Sequence, residues 1–400
     1  MSHTLCTVTR LSSRRPKTFT TDQHYIARSA NFGSSDMYGK LTMRSTFSRI
    51  LQNIGLGMVG VAVCVNVAVA DEDSGGRRDL DRVFIIMMEN HGFDQVIGPL
   101  VNPNDTGNPG APLLTPFITK LAMTQGLGTF YFGTTHPSLP NYLASVAGDF
   151  FGVQDDNDSC WATPVTSLPC HNFKAATIVD QLEAKNISWE ALMESAPSVG
   201  YRGSRYPAAP MQKLYAQKHN PFVYFDNIVN NPSRLAKIRP FDLTAFKMEL
   251  GHPNQMARYV YIAPNQCNDQ HGTGGTIPAG SADCSTDTLT LAAGDKFLET
   301  IVPAITSSPS FTGRSAIFIV WDENDFSGQL SCCGPNPTGV GGGHVAGIVV
   351  TKNGKPRKSA TPADHYSLLA TIEDGFNLPR LANAKTANTL WDLFPDSSNE

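Results

Sequence analysis

The 400-residue chain is 41% hydrophobic and 16% charged, enough apolar material to bury a large core in one big domain or two modest ones. Its formal net charge of −4 comes from interspersed charges with no basic stripe interleaved with aromatics, which argues against nucleic acid as a partner.

Residues 1–42 are polar, rich in Ser, Thr and Arg, and without hydrophobic periodicity, so they are expected to be disordered or to be an upstream over-extension of the reading frame. From Met43 the pattern changes: basic Arg44 and Arg49, an apolar stretch rich in Gly, Val and Ala, then "AVA" before Asp71. That layout predicts a signal peptide over 43–70, cleaved after Ala70 and leaving 71–400 as a single periplasmic or secreted domain. The alternative is an uncleaved membrane anchor over Ile50–Ala70; Gln52, Asn53 and Asn66 dilute it, and no stable membrane insertion is expected after cleavage. Six cysteines follow Ala70, an even number that suits an oxidising compartment. Cys160–Cys170 and Cys267–Cys284 would close short loops and Cys332–Cys333 a vicinal bridge, although sequence alone does not choose among the pairings. The spacing for a zinc site, a C-x-x-C with a second ligand pair, is missing.

Near-continuous apolar runs recur at 82–88, 221–225, 257–263, 315–321 and 345–351, as expected for strands covered on both faces. Helical patterns fall between or after them at 114–125, 141–148, 175–185, 290–305 and 365–376. The alternation predicts an α/β fold: a three-layer sandwich with a mostly parallel central sheet. In such sheets ligands bind beyond the carboxyl ends of the strands. Three of these runs end in polar chemistry there: "RVFIIMM" in Glu89-Asn90, "YVYIAPN" in "QCNDQHG", and "AIFIVW" in Asp322-Glu323.

Carboxylates and amides at strand ends cap the following helices in most single instances. Two such pairs on two strands instead suggest oxygen ligands for a hard divalent cation. In "GTTHPSLPNYLASVAG" a small polar loop presents His136, Ser138 and Asn141 just before a helix whose free amides favour an anion. Ser138 alone reads as a turn or N-cap residue; beside a metal or imidazole it is a candidate nucleophile, and the absence of G-x-S-x-G argues against a serine-hydrolase elbow. His136, His219, His271, His344 and His365 all sit in loops or at element boundaries, where one histidine is unremarkable and several beside carboxylates suggest oxyanion binding, proton donation or ligation. Metal-binding carboxylates, a hydroxyl at a helix start and several histidines together meet the needs of phosphoryl transfer.

In order along the chain, "MMENHGFD", "HPSLPNYLASVAGDFFG", "KHNPFVYFD", "IAPNQCNDQHG", "VWDEND", "GGGHVAGIVVT" and "DHYSLLATIED" resemble the motifs of the bacterial and fungal phosphoesterase family of acid phosphatases and phosphatidylcholine-type phospholipases C. The resemblance covers nearly all of 82–381. It implies an alkaline-phosphatase-like fold, a divalent metal, Ser138 as nucleophile, and Glu89, Asp322 and Glu323 as metal ligands. It also implies Asn90 at the active site and phosphate contacts from His219 and His271, with His136 a third. Asp269, His344 and His365 either complete a second metal site or hold loops together. The substrate implied is a small phosphoester, a lipid head group included. Within the family, chain length and "HPSLPNYLAS" favour an acid phosphatase over a phospholipase C. A non-catalytic secreted anion-binding protein on the same fold is the reading from another class.

Overall fold

A computed structural model of the chain describes residues 79–97, 114–208, 213–326 and 341–395. The expected leader and residues Cys332 and Cys333 lie outside them. Contacts divide the chain into residues 1–70 and 71–400, and the structure below is that of the second unit.

Ten strands form: β1 Arg82–Met88, β2 Gly126–Phe132, β3 Trp189–Glu194, β4 Arg205–Tyr206, β5 Tyr215–Ala216, β6 Ile238–Phe241, β7 Tyr259–Ala263, β8 Ser315–Trp321, β9 His344–Thr351 and β10 Arg357–Ser359. Eight of them make one sheet in the order β10-β2-β9-β8-β1-β7-β3-β6, and β4 pairs with β5 apart from it. Within the large sheet only β9 runs antiparallel to its neighbours. The carboxyl ends of β1, β2, β7 and β8 therefore share one edge, and His344, at the start of β9, arrives at that same edge.

The central strands are buried along their whole length because helices cover both faces, which is why they read as continuous apolar runs. Register assigns the faces. Phe84 pairs with Val260 and Ile317, and its ring meets Phe246 at 6.3 Å on one side. Ile85 pairs with Tyr261 and Phe318, and Tyr261 meets Phe222 at 5.3 Å on the other. Helices Pro116–Thr124, Leu243–Leu250 and Asp287–Thr306 pack together as one group, and Ser138–Ala147, Ile178–Ala184 and His365–Gly375 as another. The result is the predicted three-layer α/β sandwich.

Four of the five predicted strands form. The fifth, 221–225, is instead a 3-10 turn at Pro221–Tyr224. Pro221 lacks an N–H for a ladder and fixes its own φ, and a short apolar run buried on all sides does not reveal its period. Strands β2, β3 and β6 escaped prediction because glycines in "GLGTFYF", the acidic ends of "WEALME" and the proline of "IRPF" dilute the pattern.

Helix starts are fixed by carboxylates or hydroxyls that accept the free first-turn amides. Thr286 Oγ1 accepts from Leu289 N at 3.3 Å, and Asp364 Oδ1 from Tyr366 N at 2.9 Å. Elsewhere the cap comes from a distant segment: Asp295 accepts from Ile118 N at 2.8 Å. Both disulfides whose cysteines are described, Cys160–Cys170 and Cys267–Cys284, are formed.

Candidate active site

The floor is set by two paired strands. Met88 lies opposite Trp321 in the parallel β1–β8 ladder, so Glu89 and Asp322 leave the sheet side by side, and Asp322 N donates to Met88 O at 2.9 Å. Asn90 adopts a left-handed φ of 50°, which asparagine tolerates better than most residues, and its main-chain N–H donates to Asp322 Oδ1 at 3.0 Å. The same oxygen accepts Glu323 N at 2.6 Å. Glu89 and Asp322 are completely buried and Glu323 nearly so.

Ser138 meets this floor from β2. The loop after β2 passes so close to β8 that a Cβ on Gly133 would fall 2.6 Å from Asp322 O. Asn141, one helical turn on, pins the loop: its Oδ1 accepts Thr134 N and Thr135 N at 2.8 and 3.0 Å, and its Nδ2 donates to Thr135 O at 2.7 Å. Ser138 is the first residue of its helix, three positions earlier than the apolar pattern suggested. Its Oγ lies 3.1 Å from Glu89 Oε2 and 3.3 Å from Glu323 Oε1, and accepts from Lys218 Nζ at 3.0 Å.

The histidines divide. His219 stacks on Tyr142 at 5.1 Å, with Nε2 2.8 Å from Glu89 Oε1 and Nδ1 3.1 Å from Asp269 Oδ2. Burial opposes its protonation, but the two carboxylates outweigh burial and raise its pKa. Both ring nitrogens thus lie against carboxylates of the cluster. His271 has Nδ1 2.9 Å from Gly272 O and Nε2 3.2 Å from Lys218 Nζ; burial and the lysine charge push its pKa down to about 3, so it is a neutral acceptor. His136 Nδ1 lies 2.6 Å from Glu323 Oε2, its ring is stacked on Phe326, and its Nε2 has no hydrogen-bond partner among the described residues.

His344 and His365 stand behind the site. His344 Nε2 donates to Thr129 O at 3.0 Å while its ring stacks on Phe93 at 4.6 Å. His365 Nε2 donates to Asp322 O at 2.7 Å and its Nδ1 accepts from Tyr131 Oη at 3.1 Å, an arrangement of neutral imidazole that fits a pKa lowered by burial to about 4. Of the two roles open to them, these contacts are those of loop-holding residues. Asp269 belongs inside: its main-chain O accepts Glu89 N at 2.8 Å and its carboxylate faces His219.

Burying several carboxylates together costs on the order of several kcal/mol per ion unless compensated, so the cluster is no device for stability. Burial works against Glu89, yet the His219 contact and the more distant Lys218 hold its carboxyl well below the usual range. Burial, then the charges of Glu89 and Glu323, raise Asp322 far above it; burial raises Glu323 against the pull of His136 and takes Asp269 to about 6. Glu89 Oε1, Asp269 Oδ2 and Glu323 Oε2 are buried against histidine nitrogens in ion-pair contact, and Asp322 Oδ2 is buried without a hydrogen-bond partner among the described residues. Among the described residues no three such groups are drawn around a single ligation point, so the fit to a metal is one of donor chemistry: hard carboxylate oxygens gathered in one buried cluster suit a divalent cation.

Two residues of the site escaped the sequence reading, Lys218 and Asp156. Lys218 sits inside the "KHNPFVYFD" motif beside His219, and that adjacency was the available signal; Asp156, in "QDDND", carried none beyond its charge.

The chain matches the Phosphoesterase family over residues 111–379 and belongs to it. Glu89 and Asn90 precede the matched span. The chain is 29% identical over 320 residues to a probable acid phosphatase of Kluyveromyces lactis, covering 80% of this chain and 63% of that protein. It is 28% identical over 281 residues to a phosphatidylinositol-3-phosphatase of Mycobacterium tuberculosis, covering 70% and 76%. Among solved structures it is similar to a protein in the alkaline phosphatase superfamily from Vibrio parahaemolyticus, with 12% identity, a TM-score of 0.48, and coverage of 79% and 72%. The chain spans between 51% and 63% of the length of four fungal acid phosphatases that it matches.

Proposed function

We propose that this chain is a metal-assisted phosphoesterase of acid phosphatase type, acting on small phosphate monoesters through a phosphoserine on Ser138. The observation that carries the reading is Ser138 Oγ at a helix start, within 3.3 Å of Glu89, Glu323 and Lys218. Glu89, Asp322 and Glu323 would hold a divalent cation, whose charge favours the alkoxide form of a nearby hydroxyl.

In the first step Ser138 Oγ bonds to phosphorus as the bond to the leaving oxygen breaks, and the hydroxyl proton passes to Glu323, the facing carboxylate whose pKa is raised. The leaving oxygen needs a proton. His219 has both nitrogens against carboxylates and His271 accepts from Lys218, so the assignment falls to His136 and its unpartnered Nε2. In the second step water attacks the phosphoserine and the Oγ–P bond breaks: His136 Nε2 takes the water proton, Ser138 Oγ regains its proton from Glu323, and phosphate leaves. The helix amides contribute less than the sequence suggested, because Leu139 N already donates to Asp156 Oδ1 at 3.0 Å.

Two disulfides favour an oxidising compartment and so an exported protein, and no helix among the described residues is long and apolar enough to cross a membrane. The test is hydrolysis of p-nitrophenyl phosphate, a phosphoinositide monoester and p-nitrophenylphosphorylcholine by wild type and Ser138→Ala, each with and without chelator. Monoester turnover that chelator removes and a divalent cation restores is expected. Turnover of the choline diester alone would point to a phospholipase C, and phosphate binding without turnover to an anion-binding protein.

A further inference from the structure

Lys218 is the side chain of this site whose role the family motifs left open, and its surroundings are specific. It lies on the 3-10 turn Gln217–His219, largely buried, with Nζ 3.0 Å from Ser138 Oγ, 3.1 Å from Asp156 Oδ2 and 3.2 Å from His271 Nε2. An ammonium has three N–H donors and no acceptor, so these three partners account for all of them.

Each neighbour is itself held. Gln217, at the start of the turn, accepts Ser159 N at 2.7 Å and donates to Arg202 O at 2.8 Å, which clamps the backbone that carries the lysine. Asp156 uses one oxygen for Lys218 and the other for Leu139 N at 3.0 Å, so a single carboxylate fixes the ammonium and the first turn of the Ser138 helix in one frame. His271 keeps its Nδ1 proton on Gly272 O and offers Nε2 as an acceptor. Lys218 keeps its charge there: burial alone would lower its pKa, but Glu89, Asp156 and Asp322 reverse the shift and raise it.

A phosphoryl group poised for attack lies roughly 3 Å from the nucleophilic oxygen, which brings its non-bridging oxygens within reach of any group already bonded to that oxygen. The donor now given to Ser138 Oγ is therefore the one a non-bridging oxygen takes over. The other groups within hydrogen-bond distance of Ser138 Oγ are the carboxylates Glu89 and Glu323, which repel an anion. A monoester dianion carries one more negative charge than a diester, and a fixed ammonium at contact distance discriminates between them by that charge.

We propose that Lys218 is a substrate-contacting residue that makes the site selective for phosphate monoesters over diesters, and that Asp156 is the positioning residue that aims it. The inference rests on the phosphoesterase reading above and adds the residue that sets the choice between the two substrate classes.

The test compares kcat/KM for p-nitrophenyl phosphate and bis(p-nitrophenyl) phosphate in wild type, Lys218→Met, Lys218→Arg and Asp156→Asn, with thermal unfolding of each. The wild type should favour the monoester. Lys218→Met should lose about 10²–10³-fold on the monoester and about tenfold or less on the diester, so the ratio collapses. Lys218→Arg, which keeps the charge, should retain most of the ratio, and Asp156→Asn should lower it by a smaller factor through a raised KM for the monoester. Competitive inhibition by inorganic phosphate should weaken in parallel with the monoester loss. Equal losses on both substrates overturn the proposal while leaving the phosphoesterase reading intact; a wild type that prefers the diester overturns both the proposal and the monoester part of that reading. A wild type that hydrolyses neither overturns the reading on which it rests. If Lys218→Met does not fold, the Asp156→Asn and Lys218→Arg ratios decide: an unchanged ratio in Asp156→Asn, or a collapsed one in Lys218→Arg, contradicts the proposal.

Discussion

The floor and the wall of the site stand on different kinds of backbone. Glu89, Asp322 and Glu323 follow directly from β1 and β8, two strands locked in register over their full length, and their places are set by the ladder. Lys218, Asp156 and His271 stand on a 3-10 turn and irregular loops, and their places are set by side-chain clamps such as Gln217 on Ser159 N and Asp156 on Leu139 N. A ladder tolerates charge that the local environment does not favour. A clamp fails when one side chain is removed. The floor should therefore show its mutational effects in chemistry, and supporting residues should show theirs in stability.

The largest expected effect is Ser138→Ala, with kcat down roughly 10⁴-fold or more and an unfolding transition close to that of wild type. Comparable turnover in the variant would remove the nucleophile from the account. Next is Asp322→Asn. Oδ1 keeps its two main-chain donors while the like-charge conflict with Glu89 is relieved, so activity should fall about 10²-fold and the metal-free protein should gain about 1 kcal/mol in denaturant titration. A loss of both activity and stability would mean that the floor carboxylates hold the fold together.

His344→Ala sharpens the contrast from the other side. Removing a ring stacked on Phe93 and bonded to Thr129 O should cost about 1–3 kcal/mol of stability, with kcat/KM per folded molecule within about twofold of wild type. A large fall in kcat at full stability would return His344 to the active site. The smallest effect concerns Glu373, in the helix His365–Gly375, whose carboxyl burial lifts to about 8 against hydrogen bonds from Leu381 N and Gln181. The folded chain holds that proton where the unfolded chain has released it. Its stabilisation is thus complete below the ordinary glutamate pKa and is lost as pH rises toward 8. Glu373→Gln should flatten the decline in stability between acid and mildly alkaline pH, read from denaturation midpoints. An unchanged slope would assign the decline to other groups.

The contrast also explains what the sequence made legible. Strands buried on both faces write themselves as apolar runs, so β1, β7, β8 and β9 could be read, and the residues that end β1 and β8 stood out by polarity alone. Ser138 was singled out because its loop precedes an apolar helix. The 221–225 run misled because it is buried without being extended. Lys218 and Asp156 were passed over because their meaning lies in contacts 62 and 80 positions away in sequence, between Lys218 and Asp156 and between Lys218 and Ser138. His219 was singled out but its partners were not; only the fold shows Glu89 and Asp269 on its two nitrogens.

The central claim is that Ser138 becomes covalently phosphorylated during turnover. The direct measurement is mass spectrometry of peptides from protein acid-quenched while hydrolysing a phosphate monoester, with Ser138→Ala treated alongside. The account predicts one added phosphoryl group on the peptide that carries Ser138, formed in wild type and absent from the variant. Steady turnover with Ser138 unmodified at every quench time, or the same label in Ser138→Ala, would contradict it.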